Sequence, residues 1–171
     1  MAIDKQKLEE LFEDASKKGA IVSIIHFDAF AKDEAQAKNL LVNHIAMLSK
    51  ENGVLYCEGN IDGEVIKTEE NQFSAIAEAT VVAERFQALF LIAIKYAPIA
   101  IEVLKPSKIE LTMEDAQNIL LDASQASQQF ASYFLAKSMT KEEQENYKKE
   151  MQKRSETGKN ILEQNQRQRI I

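Results

Sequence analysis

An Asp62-Gly63 step separates two strand-like runs near the middle of the chain, Val54 to Ile61 and Glu64 to Glu70. Asp-Gly between two such runs favours a two-residue type I′ hairpin, because both central residues of that turn need positive φ. The implied register pairs Ile61 with Glu64, Asn60 with Val65 and Glu58 with Lys67. The last pair sets opposite charges across the strands, which supports the same register independently. Two strands joined this way must be antiparallel neighbours, so the rest of the chain has to be arranged around them.

Helical patterns flank the hairpin. Residues 4–18 carry an apolar stripe of Leu8, Leu11, Phe12 and Ala15, with Asp4 placed to cap the start and Gly19 to close the end. Ala20 to Phe30 reads as a strand rich in Ile, Val and Phe. Its alternation sends Ile21, Ser23, Ile25 and Phe27 to one side and Val22, Ile24, His26, Asp28 and Phe30 to the other. Asp33 with Gln36 resembles a capping box and opens a helix whose inner side is Ala37, Leu40, Leu41, His44, Ile45 and Leu48, ending at Asn52-Gly53. After the hairpin, Phe73, Ile76, Ala77 and Val81 fit helical spacing. A strand to about Val82 followed by a shorter helix fits the same residues. Helix is favoured because the hairpin already supplies two strands of similar length. Pro98 closes this element. Ile99, Ile101 and Val103 alternate with Glu102 as a fourth strand, and Pro106 interrupts it in a way that suits a sheet edge. Lys108 to Leu111 is a candidate for its resumption.

The order strand-helix-strand-strand-helix-strand resembles a ferredoxin-like α+β sandwich over residues 19–111, with residues 1–18 as an N-terminal helix. Thr112 with Glu114 and Asp115 opens a further helix, and Thr140 with Glu143 repeats the capping-box pattern. Residues 112–154 therefore read as a helical extension in two parts, and 155–171 as a flexible tail rich in Gln, Asn and Arg.

In a sandwich of this kind both helices lie on one side of the sheet. Ile25, Phe27, Leu55, Cys57, Ile66, Ile99 and Ile101 are expected to face them. His26, Asp28, Tyr56, Glu58, Lys67, Glu69 and Glu102 then share the open side, and His26, Asp28, Tyr56, Glu58, Lys67 and Glu102 form the candidate ligand site. His26 and Asp28 are two apart on a strand and point the same way. That spacing suits half of a metal site, or a histidine oriented by a carboxylate, with Glu58 or Glu102 as a further ligand. The plainer expectation is a solvated face of paired charges. His44 reads as a packed core residue. Cys57 reads as a small buried hydrophobe, not a nucleophile.

No Gly-rich phosphate loop, paired CxxC, HExxH or G-x-S-x-G occurs. No catalytic residue, cofactor or resident metal is therefore assigned. Acidic side chains outnumber basic ones through residue 136 and the balance reverses beyond it, within a net charge of −6. An acidic body argues against nucleic acid, whose binding depends on phosphate neutralisation. The most apolar stretch, Ala88 to Ile94, is too short to cross a membrane. With one cysteine and no apolar leader, a cytoplasmic setting is expected. The stripe Ile119, Ala123, Ala126, Phe130 and Phe134 is expected to form an interface, either over the chain's own sheet or with a second copy. These features together predict a non-enzymatic, self-associating interaction protein, a homodimer whose C-terminal arm is open to another protein. A regulatory domain binding a small ligand or metal on the open face is the competing expectation.

Overall fold

The computed structural model describes residues 5–68, 71–137 and 139–169. Asp4 and Glu69, to which the sequence assigns a cap and a face, lie outside the described residues. Among those described, the chain is mixed α+β, with five helices and a five-stranded antiparallel open sheet. The elements run α1 (Lys5–Lys17), β1 (Ile21–Ala31), α2 (Glu34–Leu48), β2 (Val54–Ile61), β3 (Ile66–Lys67), β4 (Phe73–Ala83), α3 (Phe86–Tyr96), β5 (Ala100–Lys105), α4 (Met113–Ala136) and α5 (Lys141–Arg169).

Local chemistry sets several of these boundaries. Asp33 is extended, and its carboxylate accepts from the Gln36 backbone N–H at 2.8 Å, so α2 starts there. That helix stops at Leu48, earlier than Asn52-Gly53, and Gly53 instead supplies a φ of 82° on the way into β2. Gly19 closes α1 with a φ of 94°. Thr112 and Asp115 exchange backbone and side-chain hydrogen bonds at the start of α4, as Thr140 and Glu143 do at the start of α5.

The sheet order is β2-β4-β1-β5, with β3 beside β4. This corrects the hairpin. Residues 73–83 form a strand, not a helix, and β4 is the partner of β2, with Glu58 opposite Thr80 and Asn60 opposite Glu78. Neither Asp62 nor Gly63 has positive φ, so no type I′ turn forms. The turn into β4 is made later, where Asn71 takes a φ of 62° and Thr68 bonds the Gln72 backbone. Meanwhile Lys38 on α2 donates to the Gly63 carbonyl at 2.9 Å. Residues 71–82 misled because alanine suits a helix as well as it suits a crowded strand, and Phe73, Ile76, Ala77 and Val81 satisfy the helical period by coincidence. Lys108 to Leu111 does not resume a strand, and β5 ends before Pro106 at the sheet edge.

The core lies between the sheet and α2 with α3. From β1 it takes Ile21, Ile25 and Phe27, and from β4 Ala75, Ala77, Ala79, Val81 and Ala83. Large side chains on one central strand thus sit beside small ones on the next, which lets the helices approach closely. Gly59 on β2 belongs to the same arrangement: a β-carbon there would come within 2.6 Å of the Ile45 side chain. His44 is half-buried, edge-on to Phe27 and Tyr96 at ring-centroid distances of 4.8 and 4.9 Å. Cys57 packs against the core, but Leu55, Ile66 and Ile99 do not. Leu55 falls in a register irregularity of β2 and is exposed, while Ile66 pairs with Ser74 and so takes the opposite side of the sheet.

Residues Met1–Asp122 form one compact unit and Ala123–Ile171 a second. In the second, Tyr147 and Met151 of α5 join Ser132 and Met139 around a hollow of about 290 Å³.

Replacing fully buried Ala77 by Leu should insert volume where β4 meets its covering helices. Overpacking of this kind costs about 1–3 kcal/mol. Urea unfolding should show a lower midpoint at unchanged slope; an unaltered midpoint would contradict the close packing described.

Candidate functional site on the second sheet face

Strand alternation puts Val22, Ile24, His26, Asp28 and Phe30 of β1 on the side away from α2 and α3. Cross-strand pairing extends this side into rows. Asn60, Glu78, His26 and Ala100 make one row; Glu58, Thr80, Ile24 and Glu102 make the next. Tyr56, Val82, Val22 and Lys105 make the third.

The N-terminal helix covers the third row. Phe12 and Ala15 pack against Ala20, Val22, Val82 and Tyr56. The Phe12 and Tyr56 rings meet edge-on at 5.5 Å, and Lys105 makes a hydrogen-bonded ion pair with Glu13. Lys105 holds the Glu13 carboxyl below the usual carboxylate range. Beside α1 a cleft of about 960 Å³ opens, with Val22, Thr80, Leu104 and Lys105 on the sheet side and Glu9, Glu10, Glu13, Asp14 and Lys17 on the helix side. The sequence marks α1 as amphipathic but carries no signal for which side of the sheet it would cover.

Of the six candidate residues, five share this side of the sheet. His26 is half-buried opposite Glu78, with Ala100 on its other flank. Asp28 is exposed opposite Ile76, and Glu102 exposed opposite Ile24. The Tyr56 hydroxyl donates to the exposed Glu58 carboxylate. Glu58 and Glu102 sit on the two outer strands, three strand spacings or roughly 14 Å apart, so they cannot ligate one ion. Lys67 does not belong with them. It pairs with Phe73, the Ala75/Ala77 side of β4, and its ammonium lies 5.8 Å from the Phe73 ring centroid. The β2–β3 hairpin that placed it opposite Glu58 does not exist. Among the described residues, no group of three or more His, Cys, Asp or Glu is arranged to hold a metal ion.

Glu78 and Thr80 were missed because their strand was taken for a helix. The available signal was the run Thr80-Val81-Val82, β-branched throughout and poor for helix. With Glu78 present, this side carries Asp28, Glu58, Glu78 and Glu102, with His26 between them and Lys105 in the row under α1.

Elsewhere, Lys95 and the Tyr96 hydroxyl both donate to Glu51 and hold its carboxyl below the usual range. Burial pushes the Cys57 thiol up, which disfavours the thiolate a nucleophile needs. The interface candidates divide between the compact units. Ile119 lies in the first and is half-buried. In the second, Ala123 and Ala126 are half-buried, while Phe130 is 59% and Phe134 69% exposed.

Residues 23–164 match the MJ0538 family, and the chain belongs to it. No curated protein and no solved structure matches the chain. No helix among the described residues is long and apolar enough to cross a membrane.

Burial first, and the hydrogen bonds to Glu58 and Glu51 second, push the Tyr56 and Tyr96 phenols up to about 12. An unfolded tyrosine titrates near 10. The folded state therefore prefers the neutral phenols, and the associated stability is complete below about pH 10 and lost as pH rises through about 12. Alkaline unfolding should show this decline, and Tyr56→Phe with Tyr96→Phe should flatten it. A decline of equal size in the double variant would refute the assignment.

Proposed function

We propose that this member of the MJ0538 family is a non-enzymatic protein that associates with itself through α4. The observation that carries the proposal is the aromatic group on that helix within the second compact unit. Phe130, Tyr133 and Phe134 are all exposed, with Tyr133 and Phe134 in edge-on contact at 5.9 Å. Ala123, Ala126, Phe130 and Tyr133 follow three-four spacing, the seam along which helices pair, and the alanines permit close approach. Exposed aromatic clusters of this kind mark contact sites, and aromatic residues carry a large share of interface energy. A closed two-fold dimer is the commonest way to bury such a patch. The charged α5 is then available to a different protein.

The first unit is proposed to be a ferredoxin-like sandwich with α1 added on its second side. Its support is the order β2-β4-β1-β5 with α2 and α3 packed on one side, β3 being a short addition beside β4.

Light scattering on eluting protein should report an assembly of at least two copies for the full chain. Phe130→Glu with Phe134→Glu should weaken the dimer at least about tenfold, since truncating two interface aromatics costs about 2 kcal/mol or more. A full chain that stays monomeric at the highest soluble concentration would overturn the proposal.

A second reading rests on the cleft beside α1. Its floor is apolar, and its rim carries Glu13 and Asp14 paired with Lys105 and Lys17, with Glu9 and Glu10 beyond them, which suits a small ligand with an apolar body and an amine. On that reading the domain is regulatory, and α1 reports occupancy. A panel of amine metabolites should raise the melting temperature, and Thr80→Arg, which fills the cleft with a cation, should abolish the rise. No shift from any amine would end this reading.

A further inference from the structure

We propose that β5 is a second self-association surface: two copies pair their β5 strands antiparallel about Ile101, continuing the sheet across a two-fold axis. The inference rests on the self-association reading above and names a separate place where it occurs.

β5 is the last strand in the order and pairs with β1 alone among the described residues. Half of the backbone N–H and C=O groups of such a strand point outward without a sheet partner. Its side chains are equally uncovered. Ile101 stands opposite fully buried Ile25, and Val103 opposite buried Ser23, so both lie on the α2/α3 side. The core does not reach them: Ile101 is 37% exposed, Val103 41% and the preceding Ile99 56%. An edge strand is commonly blunted by charge on the side that would meet a newcomer. Here the α2/α3 side of residues 100–103 carries Ile101 and Val103, and Ile99 precedes the strand with its N–H on the His26 carbonyl at 2.9 Å.

The sequence of β5 selects its own copy as the occupant. A two-fold axis normal to the sheet keeps each side of the sheet on the same side in both copies. Residues directly opposite must then share a side, so each register is centred on a residue, and those that pair the middle of β5 centre on Ile101, Glu102 or Val103. Centring on Glu102 sets two carboxylates against each other, which is destabilising. Centring on Val103 would set Ile101 against Lys105, which the irregularity of register at Val22/Ser23 turns to the α1 side and which is held there by Glu13, so those two do not share a side. Centring on Ile101 places Ile101 on its mate, Ile99 on Val103 and Ala100 on Glu102. One side of the junction becomes a continuous apolar row, and no like charges face each other. Pro98 and Pro106, which lack the N–H a ladder needs, fall outside the paired stretch 99–103.

Disulfide trapping tests this in a Cys57→Ala background, which removes the native thiol. Ile101→Cys places two thiols on the axis and should cross-link most of the protein under mild oxidation. Glu102→Cys sits two residues out of register with its mate, beyond the reach of a disulfide, and should not cross-link alone. Mixed Ala100→Cys and Glu102→Cys chains should form the heterodimer. Cross-linking of Ile101→Cys no better than of Glu102→Cys overturns the β5 junction. If the full chain is then still dimeric, and Phe130→Glu with Phe134→Glu makes it monomeric, the α4 reading stands without β5. A full chain that never dimerises removes both.

Discussion

The rest of the first unit depends on the narrowness of β4. Four of its core-facing residues are fully buried alanines, so the sheet surface is low along that strand and α2 can settle close to it. The adjacent strand β1 rises with Ile21, Ile25 and Phe27 and fills the space left at the sides. Close packing then extends outward by necessity. Ile45 presses onto the backbone at Gly59, and the rings of Phe27, His44 and Tyr96 stand edge to edge at the margin. A core built from complementary heights holds one arrangement of helices over sheet, because sliding α2 along β4 would drive large side chains into one another.

The same alanines explain what the sequence concealed. β1 was legible in both extent and sidedness, since Val, Ile and Phe favour strands and their alternation with polar residues is clear. The caps at Asp33, Thr112 and Thr140 were legible because a side chain bonding a nearby backbone N–H is a local event. β4 was not, because its residues are small in order to fit a distant helix, and alanine by itself favours a helix over a strand. The error then propagated. With β4 read as a helix, Asp62-Gly63 was the only turn left to supply β2 with a neighbour, and Lys67 was drawn onto the wrong side of the sheet. A tertiary demand had overridden a short-range signal.

The candidate site follows the same division. His26, Asp28, Tyr56, Glu58 and Glu102 were found from the period of their own strands. Glu78 and Thr80, which sit between them, required the true neighbour of β2. The covering of Tyr56 by α1 lay further still from the sequence, because an amphipathic helix reveals that it packs without revealing where.

The attachment of that helix has a consequence for how the molecule opens. α1 is held through Phe12, Ala15 and the Glu13–Lys105 pair, against a patch much smaller than the core across the sheet. Its free energy of detachment is correspondingly a fraction of the global one. Amide protons of α1 should therefore exchange with solvent ahead of those of β1 and β4, through a state in which the sheet stays whole and the patch of Ala20, Val22, Val82 and Tyr56 is wetted. The native state is thus graded, with a firm interior under α2 and a lightly held cover on the other side of the sheet.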